Sequence, residues 1–165
     1  MVELLKKYPD LIIITVGDKV CQILETIKHP RVIHKSGIWS ICESMIACKY
    51  VNLVVSPDTG LLHSAGCFSA PKIGLLGHSS IENITKTFEN DFSIEADCDC
   101  APCFRLISNA VVQCPIDPFT SGTLCMTKGF KGQRVLDHIA KIINRYYYGD
   151  RKVEADREII IPCGV

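Results

Sequence analysis

Short apolar runs alternate with segments of helical character, and this alternation constrains the fold more than any other feature of the sequence. The runs begin about every twenty residues, and two of them are nearly continuous, as burial on both faces of a sheet requires. Strands that alternate with helices form right-handed βαβ units. We therefore predict a parallel sheet with both faces covered. Its strands lie at 11–16, 31–34, 52–56, 72–76 and 92–95, and its helices at 20–27, 39–50, 61–68 and 81–88.

The two ends of the chain depart from this pattern. Residues 2–8 resemble the end of a helix that runs directly into a strand, whereas a doubly wound domain normally begins with a strand. In the strand order 3-2-1-4-5 the first strand is central, so we expect either a piece of a longer protein or a sheet that closes without that strand. From Gly132 an apolar face at helical spacing predicts a C-terminal helix that ends at Gly149, and residues 159–161 are a candidate edge strand.

Composition restricts the class of partner. Of the 165 residues, 18 are lysine or arginine and 18 are aspartate or glutamate, so net charge gives no reason to expect nucleic acid or an anionic membrane. No apolar run approaches the ~20 residues of a membrane helix. The N-terminus also lacks the basic-then-apolar order of a secretory signal. We predict a cytoplasmic protein with no nucleic-acid partner and no transmembrane segment.

The segment 52–68 predicts a strand, a loop and a helix, with Asp58-Thr59-Gly60 in the loop. Ligands of open α/β sheets bind outside the carboxyl ends of the strands, and the first turn of a helix offers N–H groups and a positive dipole end to phosphate. Gly60 allows close backbone approach, Thr59 offers a hydroxyl, and Asp58 can cap the helix or hold a sugar hydroxyl. His63 can donate to a phosphate. An Asp-Thr-Gly triplet is also an ordinary helix start, and a first-turn histidine is often only a helix-end residue.

Several segments around this loop, in the same order, resemble glycosyltransferase family 9, the ADP-heptose:lipopolysaccharide heptosyltransferases. Residues 58–66 are similar to the family's Asp-(Ser/Thr)-Gly-x-x-His stretch and small-residue helix, and residues 70–79 to its proline, apolar strand and glycine-led loop. Residues 37–42 resemble its glycine-led helix start, and residues 13–18 its strand that ends in glycine before the ribose site. The resemblance extends over roughly residues 10–145.

The resemblance implies a fold and a ligand. Residues 1–149 would form the Rossmann-like, three-layer αβα donor domain with a mainly parallel sheet, the C-terminal half of a GT-B fold, including a cysteine-rich loop at 96–129 and a C-terminal helix. Residues 150–165 would form a charged tail. The domain would bind a nucleotide-diphosphate sugar and require no cofactor. By the resemblance, the diphosphate and donor sugar lie at Asp58, Thr59, Gly60 and His63, the ribose near Asp18, and the base near Ile38 and Trp39.

The family's N-terminal domain, which receives the acceptor and supplies a carboxylate base, would lie outside this sequence. A general base must reach the acceptor hydroxyl, so we nominate no catalytic residue and expect this chain alone to be inactive. Joined to its acceptor domain, it would transfer a glycosyl group, heptosyl in the family, to a glycan or lipopolysaccharide-type acceptor. The alternatives are a non-catalytic nucleotide-sugar-binding module and a structural interaction domain that binds zinc.

Ten cysteines are a high number for this chain. Four are scattered in apolar segments, where a thiol acts as a small buried hydrophobe; these are Cys21, Cys42, Cys48 and Cys67. Others cluster in 96–129 with a spacing similar to that of many family members, and a C-x₂-C pair with two further cysteines can bind zinc. The wide second spacing argues against a metal, so reduced thiols on a loop are the alternative. The candidate zinc ligands are Cys100, Cys103, Cys114 and Cys125.

Two further features allow more than one interpretation. His78 follows Gly77 at another strand end and can line the same crevice, although an exposed loop histidine is the simpler interpretation. Three consecutive tyrosines at 146–148 can form a stacking platform. Because no basic patch lies nearby in the sequence, core packing at a partly exposed helix end is favoured for them.

Overall fold

The computed structural model describes residues 1–105, 114, 116, 123–149 and 158–162. A 3-10 segment, Lys19–Thr26, joins the first two strands, and the last helix continues into a π turn, Asn144–Tyr148. The other elements, in chain order, are α1 (Val2–Lys7), β1 (Ile13–Val16), β2 (Val32–His34), α2 (Ile41–Ala47), β3 (Val51–Pro57), α3 (Gly60–Gly66), β4 (Lys72–Leu76), α4 (Ile81–Ile84), β5 (Ile94–Glu95), α5 (Leu124–Thr127), α6 (Gly132–Ile143) and β6 (Glu158–Pro162).

Within the described ranges, six strands form one sheet in the order β2-β1-β6-β3-β4-β5. Every neighbouring pair is parallel. All of β1 and nearly all of β3 is buried, because helices cover both faces of a parallel sheet. The predicted α/β class with a parallel sheet is confirmed.

Two apolar clusters lie on opposite faces of the sheet and give the predicted three layers. On one face α1 and α6 pack against the strands, and the buried residues include Leu5, Tyr8, Ile13, Leu53, Ile73, Ile139 and Ile143. On the other face α2 and α3 cover a smaller cluster, which contains Ile14, Val16, Cys48, Val51, Val54 and Ala65. Right-handed crossovers that leave the sheet centre in opposite directions place their helices on opposite faces.

Strand β6 corrects the prediction of an edge strand at 159–161. It lies between β1 and β3, where Ile160 pairs with Ile14 on one side and with Val54 on the other. The strand order 3-2-1-4-5 gives this central position to the first strand of the chain, whereas this sequence begins with a predicted helix. A run of three isoleucines suits that position, because a central parallel strand has helices on both faces and neighbours along both edges.

Three predicted elements differ from those observed. Residues 20–27 form most of the 3-10 segment and not an α-helix. The helix predicted at 81–88 is limited to α4, because the asparagine and threonines that follow its start have poor helix propensity. The strand predicted at 92–95 is reduced to β5, because Ser93 uses its hydroxyl to accept from a β4 amide and to donate to Asp91.

Helix α2 begins later than its predicted start at residue 39 because a capping box fixes its first turn. The Ser40 hydroxyl accepts from the Glu43 amide at 3.2 Å, and the Glu43 carboxylate accepts from the Ser40 amide at 2.7 Å. Hydrogen bonds from the Ser40 side chain and backbone lower the pKa of Glu43. Trp39 therefore stays in the loop that precedes the helix.

Other predictions have mixed outcomes. The C-terminal helix is confirmed as α6 with its π turn, which ends before Gly149. Within the predicted cysteine-rich loop at 96–129, helix α5 was not predicted. Residues 106–113, 115 and 117–122 of this loop lie outside the described residues. Residues 150–157 of the predicted tail lie outside them as well. Two of the four scattered thiols are buried as predicted, and the other two are exposed; the buried pair is Cys21 and Cys48, the exposed pair Cys42 and Cys67.

In the part of the chain that the structure describes, none of the helices combines the length and the apolar character needed to span a bilayer.

Lys72, the first residue of β4, is completely buried. Its ammonium group donates to the carbonyl of Phe68 at 2.8 Å and to the carbonyl of Glu89. Burial lowers the pKa of Lys72, and the negative charge of Asp91 offsets part of that effect. The side chain thus joins the segment after α3 to the segment before β5, and so supports both connections that lead into and out of β4.

We expect Lys72→Met to lower the free energy of unfolding by ~1–3 kcal/mol, because the carbonyls of Phe68 and Glu89 lose their buried donor. Lys86→Met is the matched control: Lys86 is exposed and forms a one-turn ion pair with the exposed Glu82, so its loss changes stability by less than about 0.5 kcal/mol. Urea denaturation measures both changes. Equal stability of the two variants would contradict the role assigned to Lys72.

Candidate functional site

The parallel pairing of β3 and β4 brings two polar loops to one edge of the sheet. Ser56 pairs with Gly74 and Pro57 with Leu75. Asp58 directly follows β3, and the loop with His78 directly follows β4. Because the carboxyl ends of parallel strands lie at the same edge, these two residues become neighbours although twenty positions separate them in the chain.

One carboxylate at this edge faces two imidazoles, and we call Asp58, His63 and His78 the Asp58 cluster. Asp58 Oδ1 lies 3.2 Å from His63 Nε2, and Oδ2 lies 3.8 Å from His78 Nε2. The side chain of Asp58 is 13% exposed, against 52% for His63 and 35% for His78. The carboxylate is thus more buried than either ring, so a ligand that arrives from solvent meets the imidazoles first.

Helix α3 carries His63, and aromatic packing supports its ring. The edge of the His63 ring meets the Phe88 ring at 84°, with 6.3 Å between the centroids. Phe88 also packs against Gly66, where the absence of a side chain makes room for it. The His63 ring is therefore held between Asp58 and Phe88.

The hydroxyl of Thr59 is engaged by its own loop. Ser56 Oγ donates to the Pro57 carbonyl at 2.8 Å and lies 2.9 Å from Thr59 Oγ1. A hydroxyl has one proton, so Thr59 donates to Ser56. Thr59 is the N-cap of α3 but makes no side-chain capping bond. To donate to a phosphate, its hydroxyl must leave Ser56; as it stands, it can only accept.

Gly60 begins α3 with ordinary backbone angles and with room for a side-chain carbon. A Cβ built on Gly60 would meet Met45 Cε at 3.5 Å, an ordinary contact distance. The fold therefore does not require glycine at this position. The prediction that Gly60 serves the close approach of a ligand is consistent with this, because packing within the chain supplies no other reason for glycine.

Asp18 and Trp39 lie at the ends of β1 and β2, on the other side of β6 from the Asp58 cluster. Asp18 is exposed, whereas Trp39 is half-buried against the smaller core cluster and has Lys35 Nζ 5.5 Å from its ring centroid. The Gly37 amide donates to the Gly17 carbonyl at 2.8 Å. The structure thus brings Asp58, Thr59, Gly60 and His63 together and places Asp18 and Trp39 in a second group along the same edge.

A polar network that the sequence did not suggest anchors this second group. The Glu25 carboxylate accepts from Thr15 Oγ1 at 3.1 Å and from the Ser36 amide at 3.3 Å. It also lies 2.5 Å from His34 Nδ1, and His34 Nε2 lies 3.0 Å from the Ile27 carbonyl. The network ties the 3-10 segment to the ends of β1 and β2, and so fixes the loops that carry Asp18 and Trp39.

The four candidate zinc ligands are not gathered in the structure. Among the described residues, no group of three or more His, Cys, Asp or Glu side chains is arranged to hold a metal ion. Cys98 Sγ instead lies 3.7 Å from Cys100 Sγ. Burial and the Cys100 sulfur raise the pKa of the Cys98 thiol, which disfavours the thiolate that metals bind. Zinc binding by Cys100, Cys103, Cys114 and Cys125 stays a prediction from their spacing.

His78 is the site residue that sequence reasoning undervalued. An exposed loop histidine was the simpler interpretation, but the ring is only 35% exposed and faces Asp58. The sequence did contain a signal for this role. His78 comes just after the buried strand β4, and β4 is the next strand in the chain after β3, which leads to Asp58. Two consecutive parallel strands joined by one helix are usually neighbours, which places the residues after both strands together.

Comparison with known proteins agrees with the resemblance seen in the sequence. The model of the family described as glycosyltransferase family 9 (heptosyltransferase) matches residues 38–110. This range contains β3, α3, β4 and the whole Asp58 cluster. No curated protein and no solved structure gives a significant match to the chain.

Two glycines of α3 are expected to respond differently to alanine. Gly60→Ala should fold normally and gain about 0.5 kcal/mol, since alanine restricts the unfolded chain and the site has room. Gly66→Ala should lose ~1–3 kcal/mol, because its Cβ would come within 2.6 Å of the Phe88 ring. Chemical denaturation measures both, and a destabilised Gly60→Ala would mean that packing explains Gly60.

Proposed function

We propose that this chain is a donor-binding domain that holds a nucleotide-diphosphate sugar at the Asp58 cluster, on the premise that its residues 38–110 match the model of glycosyltransferase family 9. The observation that carries the proposal is the carboxylate of Asp58 with one imidazole on each oxygen, inside the matched range and at the carboxyl ends of adjacent parallel strands. Ligands of open α/β sheets bind at this edge.

The leaving group of the reaction sets the electrostatic demand on the site. A nucleoside diphosphate is a multiply charged anion, and its departure requires donors and positive charge. Helix α3 has only seven residues, about two turns, so its dipole is a modest source of positive potential. The His63 imidazole is the stronger source, since it becomes a cation with two N–H donors when protonated.

Asp58 acts, in this proposal, by orienting the His63 imidazole, which lies at hydrogen-bond distance from it, and not by touching the phosphates. Two like unit charges 4 Å apart repel by about 4 kcal/mol at an effective dielectric constant of about 20, so direct contact between the carboxylate and a phosphate would be unfavourable. Its greater burial places it behind the rings. A carboxylate that accepts from a histidine fixes the ring orientation and stabilises the imidazolium. We assign Asp58 the role of a positioning residue.

The other predicted residues have roles consistent with their positions. The backbone at Gly60 provides a surface without a side chain where the diphosphate approaches, and Thr59 accepts from or, after rotation, donates to the donor sugar. Asp18 lies near the ribose and Trp39 near the base in this proposal, because both are at the same edge of the sheet.

Transfer itself needs groups beyond this site. The acceptor hydroxyl needs a base within hydrogen-bond distance, which in this proposal comes from an acceptor-binding domain. The family suggests a heptosyl or related donor, a glycan or lipopolysaccharide-type acceptor and a reaction in the cytoplasm. The donor is the only small molecule that the proposed chemistry requires.

Titration calorimetry with ADP-, UDP- and GDP-sugars tests the proposal. We expect the wild type to bind at least one of these donors, and Asp58→Asn, His63→Gln and Gly60→Ala each to weaken that binding by about tenfold or more, ~1.4 kcal/mol. Gly60→Ala is the most informative change, because its Cβ would make only an ordinary contact with Met45 Cε, so the fold tolerates it and a loss of affinity reports on the ligand.

His29→Gln is the matched control. His29 precedes β2 at the opposite edge of the sheet, where its ring accepts from the Arg31 amide, so donor affinity should not change. Equal affinity in the wild type and the three site variants, with all proteins folded, would remove the Asp58 cluster from the donor site. Binding to none of the donors would reject the proposed function.

A further inference from the structure

We propose that His78 is a second histidine of the diphosphate site, which contacts the distal phosphate of the donor from the side opposite His63. The inference rests on the proposed function and extends it to a residue outside the Asp-Thr-Gly-Leu-Leu-His segment. It follows from the position of the His78 ring, from the charge balance of the Asp58 cluster and from the backbone contacts that hold His78.

The position of the ring comes first. His78 and His63 lie at different oxygens of one carboxylate, at 3.8 Å and 3.2 Å. Each ring turns its Nε2 towards Asp58, so each Nδ1 is the nitrogen left for a ligand. His63 donates through Nε2 to the carboxylate, whereas His78 Nε2, at 3.8 Å, lies within ion-pair distance of it but beyond hydrogen-bond distance. A protonated ring of either histidine can donate through Nδ1 to a phosphate oxygen. Two such rings around one carboxylate suit a ligand with more than one phosphate.

The charge of the cluster also favours a role for His78. Asp58 contributes one negative charge, and His78 is a second group beside it that can carry a positive charge. A positive charge at this position would favour an anionic donor.

Backbone contacts hold His78 in place independently of any ligand. The His78 carbonyl accepts from the Phe104 amide at 2.7 Å. The preceding Gly77 packs so closely against the cysteine-rich segment that a Cβ there would lie 2.8 Å from Met126 Sδ and 3.0 Å from Cys125 Sγ. The cysteine-rich segment and α5 thus support the loop that carries His78. This gives that segment a function in the site that does not depend on a metal.

Paired calorimetric titrations test the role of His78. ADP, UDP and GDP are compared with AMP, UMP and GMP as probes, for the wild type, His78→Gln and the control His29→Gln. If His78 contacts the distal phosphate, His78→Gln weakens diphosphate binding by about tenfold and monophosphate binding by less than about twofold, since only the diphosphate reaches that ring. His29→Gln leaves both unchanged. A thermal melt establishes that each variant is folded, and His78→Asn replaces His78→Gln if the latter is not.

The outcomes separate this inference from the proposed function. If Asp58→Asn and His63→Gln weaken diphosphate binding but His78→Gln does not, the role of His78 is rejected and the donor site stands. If His78→Gln weakens diphosphate and monophosphate binding equally, His78 supports the site without contacting the distal phosphate, and the inference is rejected. If the wild type binds no nucleotide, both the inference and the proposed function fail.

Discussion

The parallel register between β3 and β4 is the constraint on which the rest of the site depends. It aligns Ser56 with Gly74 and Pro57 with Leu75. The two strands therefore end at the same edge of the sheet, within a few residues of these pairs. A shift by one residue would turn every side chain of one strand to the opposite face and would separate Asp58 from His78. The apolar residues that bury both strands therefore fix the geometry of polar residues that they do not contact.

The sequence predicts the strands of this fold well because each one is a local feature. A run such as 52–56 has an uninterrupted apolar centre, Leu53-Val54-Val55, as burial on both faces of a sheet requires. The position of β6 is different, because it depends on pairing between residues far apart in the chain, and no local pattern distinguishes a central from an edge strand in three isoleucines. The 3-10 segment at Lys19–Thr26 shows the same limit, since Glu25 bonds to Thr15 and Ser36 on other elements.

The residues of the candidate site also fall into two classes, those whose proximity the sequence predicts and those that only strand pairing brings together. Asp58, Thr59, Gly60 and His63 lie within one loop and one helical turn, so their proximity was predictable from the sequence. His78 lies on another loop, and its partner is fixed only when the strands pair. The sequence also could not show that Ser56 engages the Thr59 hydroxyl, or that Asp58 is more buried than both of its imidazoles. Burial and partner choice are tertiary properties, and they change the expected role of Asp58 from ligand contact to orientation.

The two groups of residues along the sheet edge have different supports, and this bears on the proposed recognition of a nucleotide sugar. The ends of β1 and β2 are held by the Glu25 network, whereas the ends of β3 and β4 are held by α3, Phe88 and the cysteine-rich segment. Substitutions in one support need not disturb the other, because the two supports lie at the ends of different strand pairs. In the proposed function the first group meets the base and ribose and the second the diphosphate. Base preference can then vary through the loops around Asp18 and Trp39, while the charged chemistry common to all nucleotide-diphosphate donors stays with the Asp58 cluster.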